Sequence, residues 1–201
     1  MKRNYYRNVL PLFFASILAM THTTAFADDS ALKDENLLQV LPPGFKIGND
    51  QSSGPISILE MVPQNESVDD WTQIVTTQTF RGVDHPDFYD TYREKSEETF
   101  KKSCDSTEFL SFHDLDGREN GYLVHLWMQF CRYKNPDKAP EVTLFKYIQG
   151  RDATYVVQWA SHSEPTKEEF KQRMHYLSTV LACDTRRKEN PCSMPSLKTG
   201  N

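Results

Sequence analysis

The pattern of this chain predicts an α+β domain, an antiparallel sheet of about six to seven strands packed by two main helices. Three observations predict it. The strand-like runs of the second half form a four-strand meander with short, turn-rich connections, and a parallel crossover needs a dozen residues or more. One helix signature precedes that meander and another follows it. Four cysteines, Cys104, Cys131, Cys183 and Cys192, follow an export leader, a context in which an even count supplies disulfides.

The leader is read from residues 1–27. Lys2, Arg3 and Arg7 form a positive head, Val9 to Met20 an apolar run, and Ala25-Phe26-Ala27 a small-x-small cleavage site. A dozen apolar residues fall short of a bilayer core of roughly 30 Å, which argues against a membrane anchor. No cysteine follows the site, which argues against a lipid-modified N-terminus. The mature chain is expected to begin at Asp28 and to carry no integral membrane segment.

Residues 28–36 are polar and expected to be loose, with one domain over 37–192 and a mobile tail over 193–201. Leu41-Pro42-Pro43-Gly44-Phe45 is a rigid turn, because proline fixes φ and glycine frees the next step. Short strands are expected over Phe45–Gly48 and Ile56–Val62, joined by a loop from Asp50 to Gly54. Ser67 and Asp70 suggest a helical turn around Trp71. The β-branched Ile74, Val75, Thr76, Thr77 and Thr79 then favour a strand to about Phe80. Pro86 opens a helix to about Lys102, with Tyr89, Tyr92, Ser96 and Phe100 on one face.

The meander follows as Thr107–His113, Tyr122–Tyr133, Val142–Gln149 and Ala153–Ala160, with turns at Asp116–Gly121, Asn135–Pro140 and Gly150–Asp152. In the long strand, period-two alternation sends Tyr122, Val124, Leu126, Met128 and Phe130 to the core. Leu123, His125, Trp127, Gln129 and Cys131 take the other face, which lies under the first helix or lines a groove; the covered face is preferred. Thr166 and Glu169 form a capping box for the last helix, in which Phe170, Met174, Leu177 and Leu181 recur at helical spacing until Cys183 ends it.

Four cysteines allow three pairings, and spacing does not choose among them. The pairing adopted is Cys104 with Cys131 and Cys183 with Cys192. Loop-closure estimates give about 3.5 kcal/mol for the first and about 2.7 kcal/mol for the second. A zinc site lacks both the C-x-x-C pair and the matched histidines it needs.

Removing Lys2, Arg3 and Arg7 with the leader takes the net charge from −5 to −8. An acidic surface without a basic stripe repels phosphate backbones and anionic bilayers, so nucleic acid is not an expected partner. His113, Asp114, Asp116 and Glu119 offer oxygen and nitrogen ligands near a turn, but a solvated hairpin accounts for the same residues and no metal is expected. His125 beside Trp127 offers a general base. Catalysis also needs a nucleophile and an orienting acid, and there is no G-x-S-x-G elbow. No catalytic residue and no cofactor is assigned. The binding candidates are Trp127, Tyr147, Trp159 and His125, since aromatic rings on strands, Tyr133 and Tyr155 among them, build either a cleft or a core.

Four stretches carry a resemblance. They are Leu41-Pro42-Pro43-Gly44-Phe45, Trp71 with Val75-Thr76-Thr77-Gln78, Tyr155-Val156-Val157-Gln158-Trp159, and Cys183-Asp184-Thr185-Arg186 with Pro191-Cys192. Together they resemble an uncharacterised group of small exported proteins of Gram-negative bacteria. The resemblance implies export and a cysteine-clamped tail and carries no activity with it. The order of elements is also similar to the PsbP/Mog1-like fold, which implies an antiparallel sheet between helices and favours accessory or docking roles.

The expected function is therefore a periplasmic binding or accessory protein, non-catalytic, that docks onto an envelope protein partner. The alternatives are a small-ligand carrier or hydrolase with a cleft near His125 and Trp127, and a factor secreted beyond the outer membrane.

Overall fold

A computed structural model describes residues 32–193 apart from Asp84 and Pro86. The leader, the mature start to Ala31, Pro86 as helix opener and all of the tail after Ser193 lie outside the described residues.

Ten strands and two α-helices are described. They are β1 (Glu35–Leu38), β2 (Phe45–Ser53), β3 (Ile56–Pro63), β4 (Gln73–Arg81), α1 (Phe88–Ser103), β5 (Cys104–Ser111), β6 (Gly117–Glu119), β7 (Tyr122–Tyr133), β8 (Glu141–Gln149), β9 (Ala153–Ser161), α2 (Lys167–Thr179) and β10 (Leu181–Asp184). Eight of the strands form one antiparallel sheet in the order β2-β3-β4-β9-β8-β7-β5, with β6 beside β5 on the same edge of β7. The α+β class holds, with slightly more strands than expected.

Three layers result. Helix α1 covers the face that carries Trp127, Phe145, Tyr147 and Val156. Helix α2 covers the opposite face, where Leu144, Val157 and Trp159 pack with Tyr176 and Leu177. Strand β8 is covered on both sides, so it is buried from Val142 to Ile148 whichever way a side chain points. Its mid-strand Lys146 faces α2 and is fully enclosed. Its ammonium pairs with Glu119 and donates to the carbonyls of Leu177 and Val180, each at 2.8 Å, closing the C-terminal end of that helix. Burial lowers the Lys146 pKa, and Glu119 opposes the shift.

Both disulfides form as paired above, Cys104–Cys131 and Cys183–Cys192. The first ties the end of α1 to the middle layer through β7. The second closes the loop after β10.

Several boundaries differ from the expectation, each for a physical reason. The segment expected to be loose to Asn36 is already strand at Glu35, and the last helix stops at Thr179 rather than Cys183. Leu181 and Cys183 belong to β10, which pairs with β1 in a separate two-stranded sheet. The two errors are one error. Each strand is four residues long and has its partner at the other end of the chain, so neither shows a local period. The Glu35 carboxylate tightens this junction by accepting from the backbone N–H of Arg151 (2.6 Å), Asp152 (3.2 Å) and Ala153 (3.1 Å). A Cβ at Gly150 would lie 2.2 Å from that carboxylate, so the turn needs glycine there.

Strand β2 runs on to Ser53 where a loop is expected from Asp50, and the turn is only Gly54-Pro55. Edge residues facing water need no apolar alternation, and pairing to β3 holds them. The helical turn at Trp71 is absent. Ser67 and Asp70 instead exchange backbone hydrogen bonds (3.1 and 3.2 Å), and Trp71 stacks on His162 with centroids 3.9 Å apart. The strand expected over Thr107–His113 is shifted upstream, because the register with β7 begins at Cys104, and a 3₁₀ turn takes His113–Leu115.

Candidate functional site

Helix α1 has no buried residue and no side-chain cap at Asp87. Surface pairs at i,i+4 support it, Arg93 with Glu97 (3.0 Å), Lys101 with Glu97 (3.5 Å) and Lys102 with Glu98 (3.6 Å). Steps of three and four residues lead from Phe88 through Tyr92, Lys95 and Ser96 to Phe100. These side chains form one wall of a groove of about 490 Å³ whose floor is Gln78 and Phe80 of β4.

Behind that wall lies a layer of rings and amides on β7 and β8. Tyr89 stacks flat on His125 (3.9 Å, 16°) and meets Tyr147 edge-on at 5.1 Å. Trp127 stacks on Phe145 (4.6 Å, 5°). Ser96 donates to Gln129 Oε1 at 3.0 Å, and the Tyr92 hydroxyl donates to Gln78 Oε1 (2.8 Å) and accepts from Gln158 Nε2 (2.9 Å). Burial raises the pKa of Tyr92 and Tyr147 above the ordinary phenol value, so both rings stay neutral donors. Tyr89 shifts the same way by burial, with Arg93 opposing.

Four polar atoms in this layer have no hydrogen-bond partner: Trp127 Nε1, Gln129 Nε2, the Tyr147 hydroxyl and His125 Nδ1. Thr154 lies close enough to Tyr147 to oppose its pKa rise, but not in hydrogen-bond geometry, and its own hydrogen goes to the Val83 carbonyl (3.1 Å). His125 Nδ1 is 3.3 Å from Asp116 Oδ2 but out of line for a hydrogen bond. The same oxygen meets His113 Nδ1 at 3.2 Å, while Asp116 Oδ1 accepts from the Leu126 N–H at 3.2 Å. Buried polar groups are ordinarily paired, and this layer holds four of the seven unpartnered side-chain atoms among the described residues.

The four candidate binding residues divide. Trp127, Tyr147 and His125 come together beneath α1. Trp159 lies on the opposite face against Phe45 (5.5 Å) and Tyr176 (5.1 Å), and its Nε1 donates to Gln73 at 3.1 Å. Trp127 and Tyr147 are wholly enclosed and Trp159 is 8% exposed, so these rings offer no open binding face. Tyr155 and Tyr133 bond to Glu35 (3.3 Å) and Glu141 (2.6 Å). The covered face of β7 is borne out, since Trp127, Gln129 and Cys131 are all enclosed.

Sequence reasoning misses Gln78 and Lys95 as members of the site, and places Gln129 on the covered face of β7 without assigning it a role. Ser96 and Tyr92 carried a signal, as they share a helical face with Tyr89 and Phe100. Lys95 carried none, because a lysine on a helix reads as solvated. The Ser96 hydroxyl donates to Gln129 rather than to His125, so Ser96 and His125 do not form a nucleophile–base pair. Among the described residues no three of His, Cys, Asp and Glu are placed to hold a metal ion, and no helix is long and apolar enough to cross a membrane.

No family model and no curated protein matches this chain.

Proposed function

We propose that this chain is an exported, non-catalytic binding protein of the bacterial envelope that works in the periplasm and takes its guest in the groove beside α1. The observation that carries the reading is the groove itself. A helix with no buried residue walls it, and the inner stripe of that helix mixes aromatic ends with Thr91, Lys95, Ser96 and Thr99. Binding sites combine apolar walls with a few convergent polar groups in this way. The two disulfides suit an oxidising compartment. The binding role expected of Trp127, Tyr147, Trp159 and His125 moves accordingly to the groove wall of α1 from Phe88 to Phe100.

A photo-cross-linking residue at the exposed Thr91, on the groove rim, tests this in the periplasm of the host. A control position at Lys138 lies in the loop between β7 and β8. Adducts from position 91 alone are the expected result. Equal yields at both positions, or none at 91, would reject the groove. Fractionation checks the address: recovery from the cytosol with residues 1–27 still attached would reject export.

A further inference from the structure

We infer that the guest of the α1 groove is a free single-chain amphiphile with a carboxylate head, of the fatty-acid type; this rests on the groove being the binding site. From Phe88 to Phe100 the groove follows twelve residues of helix, about 18 Å at 1.5 Å per residue. Its volume, about 490 Å³, lies within the range of roughly 300–1,000 Å³ usual for small-molecule sites.

The apolar end is a box of rings, Phe80 with Phe88 at 5.1 Å and each with Tyr92 at 6.0 and 6.2 Å. Hydroxyls of Thr91, Ser96 and Thr99 line the middle. Lys95 is the one charged side chain on the wall. The other cations of α1 (Arg93, Lys101 and Lys102) each hold a glutamate, whereas Lys95 has no carboxylate within 4.0 Å among the described residues. An unpaired lysine at the rim of an apolar groove selects an anion and repels a cationic head. The second observation is independent of charge. Along one wall the lining passes from the rings of Phe80, Phe88 and Tyr92 to Lys95, Ser96 and Thr99, an apolar-to-polar order that matches a single-chain amphiphile. A carboxylate gives Lys95 the partner it lacks, and an alkyl chain lies along the rings.

The test uses the mature protein with both disulfides intact and sodium dodecanoate below its micelle concentration, read by titration calorimetry. Saturable binding is expected, about fifteenfold weaker for decanoate, which lacks two methylenes each worth about fourfold. Lys95 is exposed and unpaired, so Lys95→Glu should fold normally and weaken dodecanoate binding about tenfold. Dodecyltrimethylammonium should bind the wild type poorly and gain from the same substitution. Equal dodecanoate affinity in wild type and Lys95→Glu would overturn the inference, as would a preference of the wild type for the cation. Binding that survives the groove-filling Thr91→Trp would place the guest elsewhere and overturn it too. Binding only to phosphatidylglycerol vesicles would assign the surface to a membrane and reject a free amphiphile. Cross-links from position 91 without any dodecanoate binding would reject the amphiphile while leaving the groove as the binding site.

Discussion

The two helices cover opposite faces of one sheet, and they are attached in opposite ways. Helix α2 starts with a complete capping box, buries Arg173, Tyr176 and Leu177, and ends on the ammonium of Lys146. Its buried polar atoms are matched: Arg173 donates to Ser161 at 2.6 Å, and the Tyr176 hydroxyl donates to the Val40 carbonyl at 3.0 Å while accepting from Gln39 at 3.0 Å. Helix α1 buries no residue, has no side-chain cap and leaves donors beneath it unmatched. A disulfide at Cys104 holds its far end. A covalent tie thus supplements the half-buried rings and hydrogen bonds that hold α1, whereas buried side chains hold α2. The layer held by packing is the scaffold. The layer held in part by the tie borders the groove.

The widest test of that contrast is a pair of truncations. Leu177 is fully buried in the α2 core, and Leu177→Ala should cost about 2–5 kcal/mol in urea unfolding through lost transfer energy and a residual cavity. Phe88 is only half-buried on α1, and Phe88→Ala should cost about 1 kcal/mol despite removing more atoms. Equal losses would mean that α1 is as much a core element as α2.

Replacing both Cys104 and Cys131 with alanine should lower stability by about 3.5 kcal/mol on loop-closure grounds. Location sharpens the comparison more than size does. Amides of α1 should lose hydrogen-exchange protection first, with those of α2 following only at global unfolding. Uniform loss across both helices would show that α1 does not depend on its tie.

Much of this was legible because the signals were local. The capping box at Thr166 and Glu169, the span Tyr122–Tyr133 and its alternation, and the helix behind Pro86 all express short-range rules. The α+β class and the covered face of β7 followed from them. What escaped was non-local. Strands β1 and β10 exist only because they find each other across the whole chain, and polar Asp50–Ser53 is strand because β3 lies alongside. The candidate site escaped in part for the same reason. Trp127, Tyr147 and His125 were visible as aromatic or titratable residues on neighbouring strands. Gln129 matters only through Ser96 on a helix with which it shares no sequence pattern, and Lys95 matters through the carboxylate it lacks.

Substituting the cap Thr166→Ala removes the hydroxyl that accepts from Glu169 N–H at 3.3 Å and should cost about 1 kcal/mol. Asp87→Ala on α1 should cost close to nothing, because that side chain makes no cap bond. A similar loss from both, by thermal unfolding, would remove the asymmetry at the helix starts.

Acid offers the finest distinction. Hydrogen bonds from Arg186 (Nη2 to Oδ2 at 2.7 Å, Nε to Oδ1 at 2.8 Å) hold the Asp184 carboxyl below the usual range, and the backbone and hydroxyl of Thr166 do the same for Glu169. Both stand on the α2 side, in β10 and in the first turn of the helix. A carboxylate whose folded pKa is depressed contributes stability that is complete above its unfolded pKa of about 4 and is lost as pH falls through the lower folded value. The junction of α2 with β10 should therefore loosen as the pH drops below about 4 while α1, held by its disulfide, keeps its place. Exchange-protected amides of β10 should open first in acid, and Asp184→Asn should produce the same opening at neutral pH. If α1 opens first in acid, its attachment depends on charge rather than on the covalent tie, and the division into a packed layer and a tethered one fails.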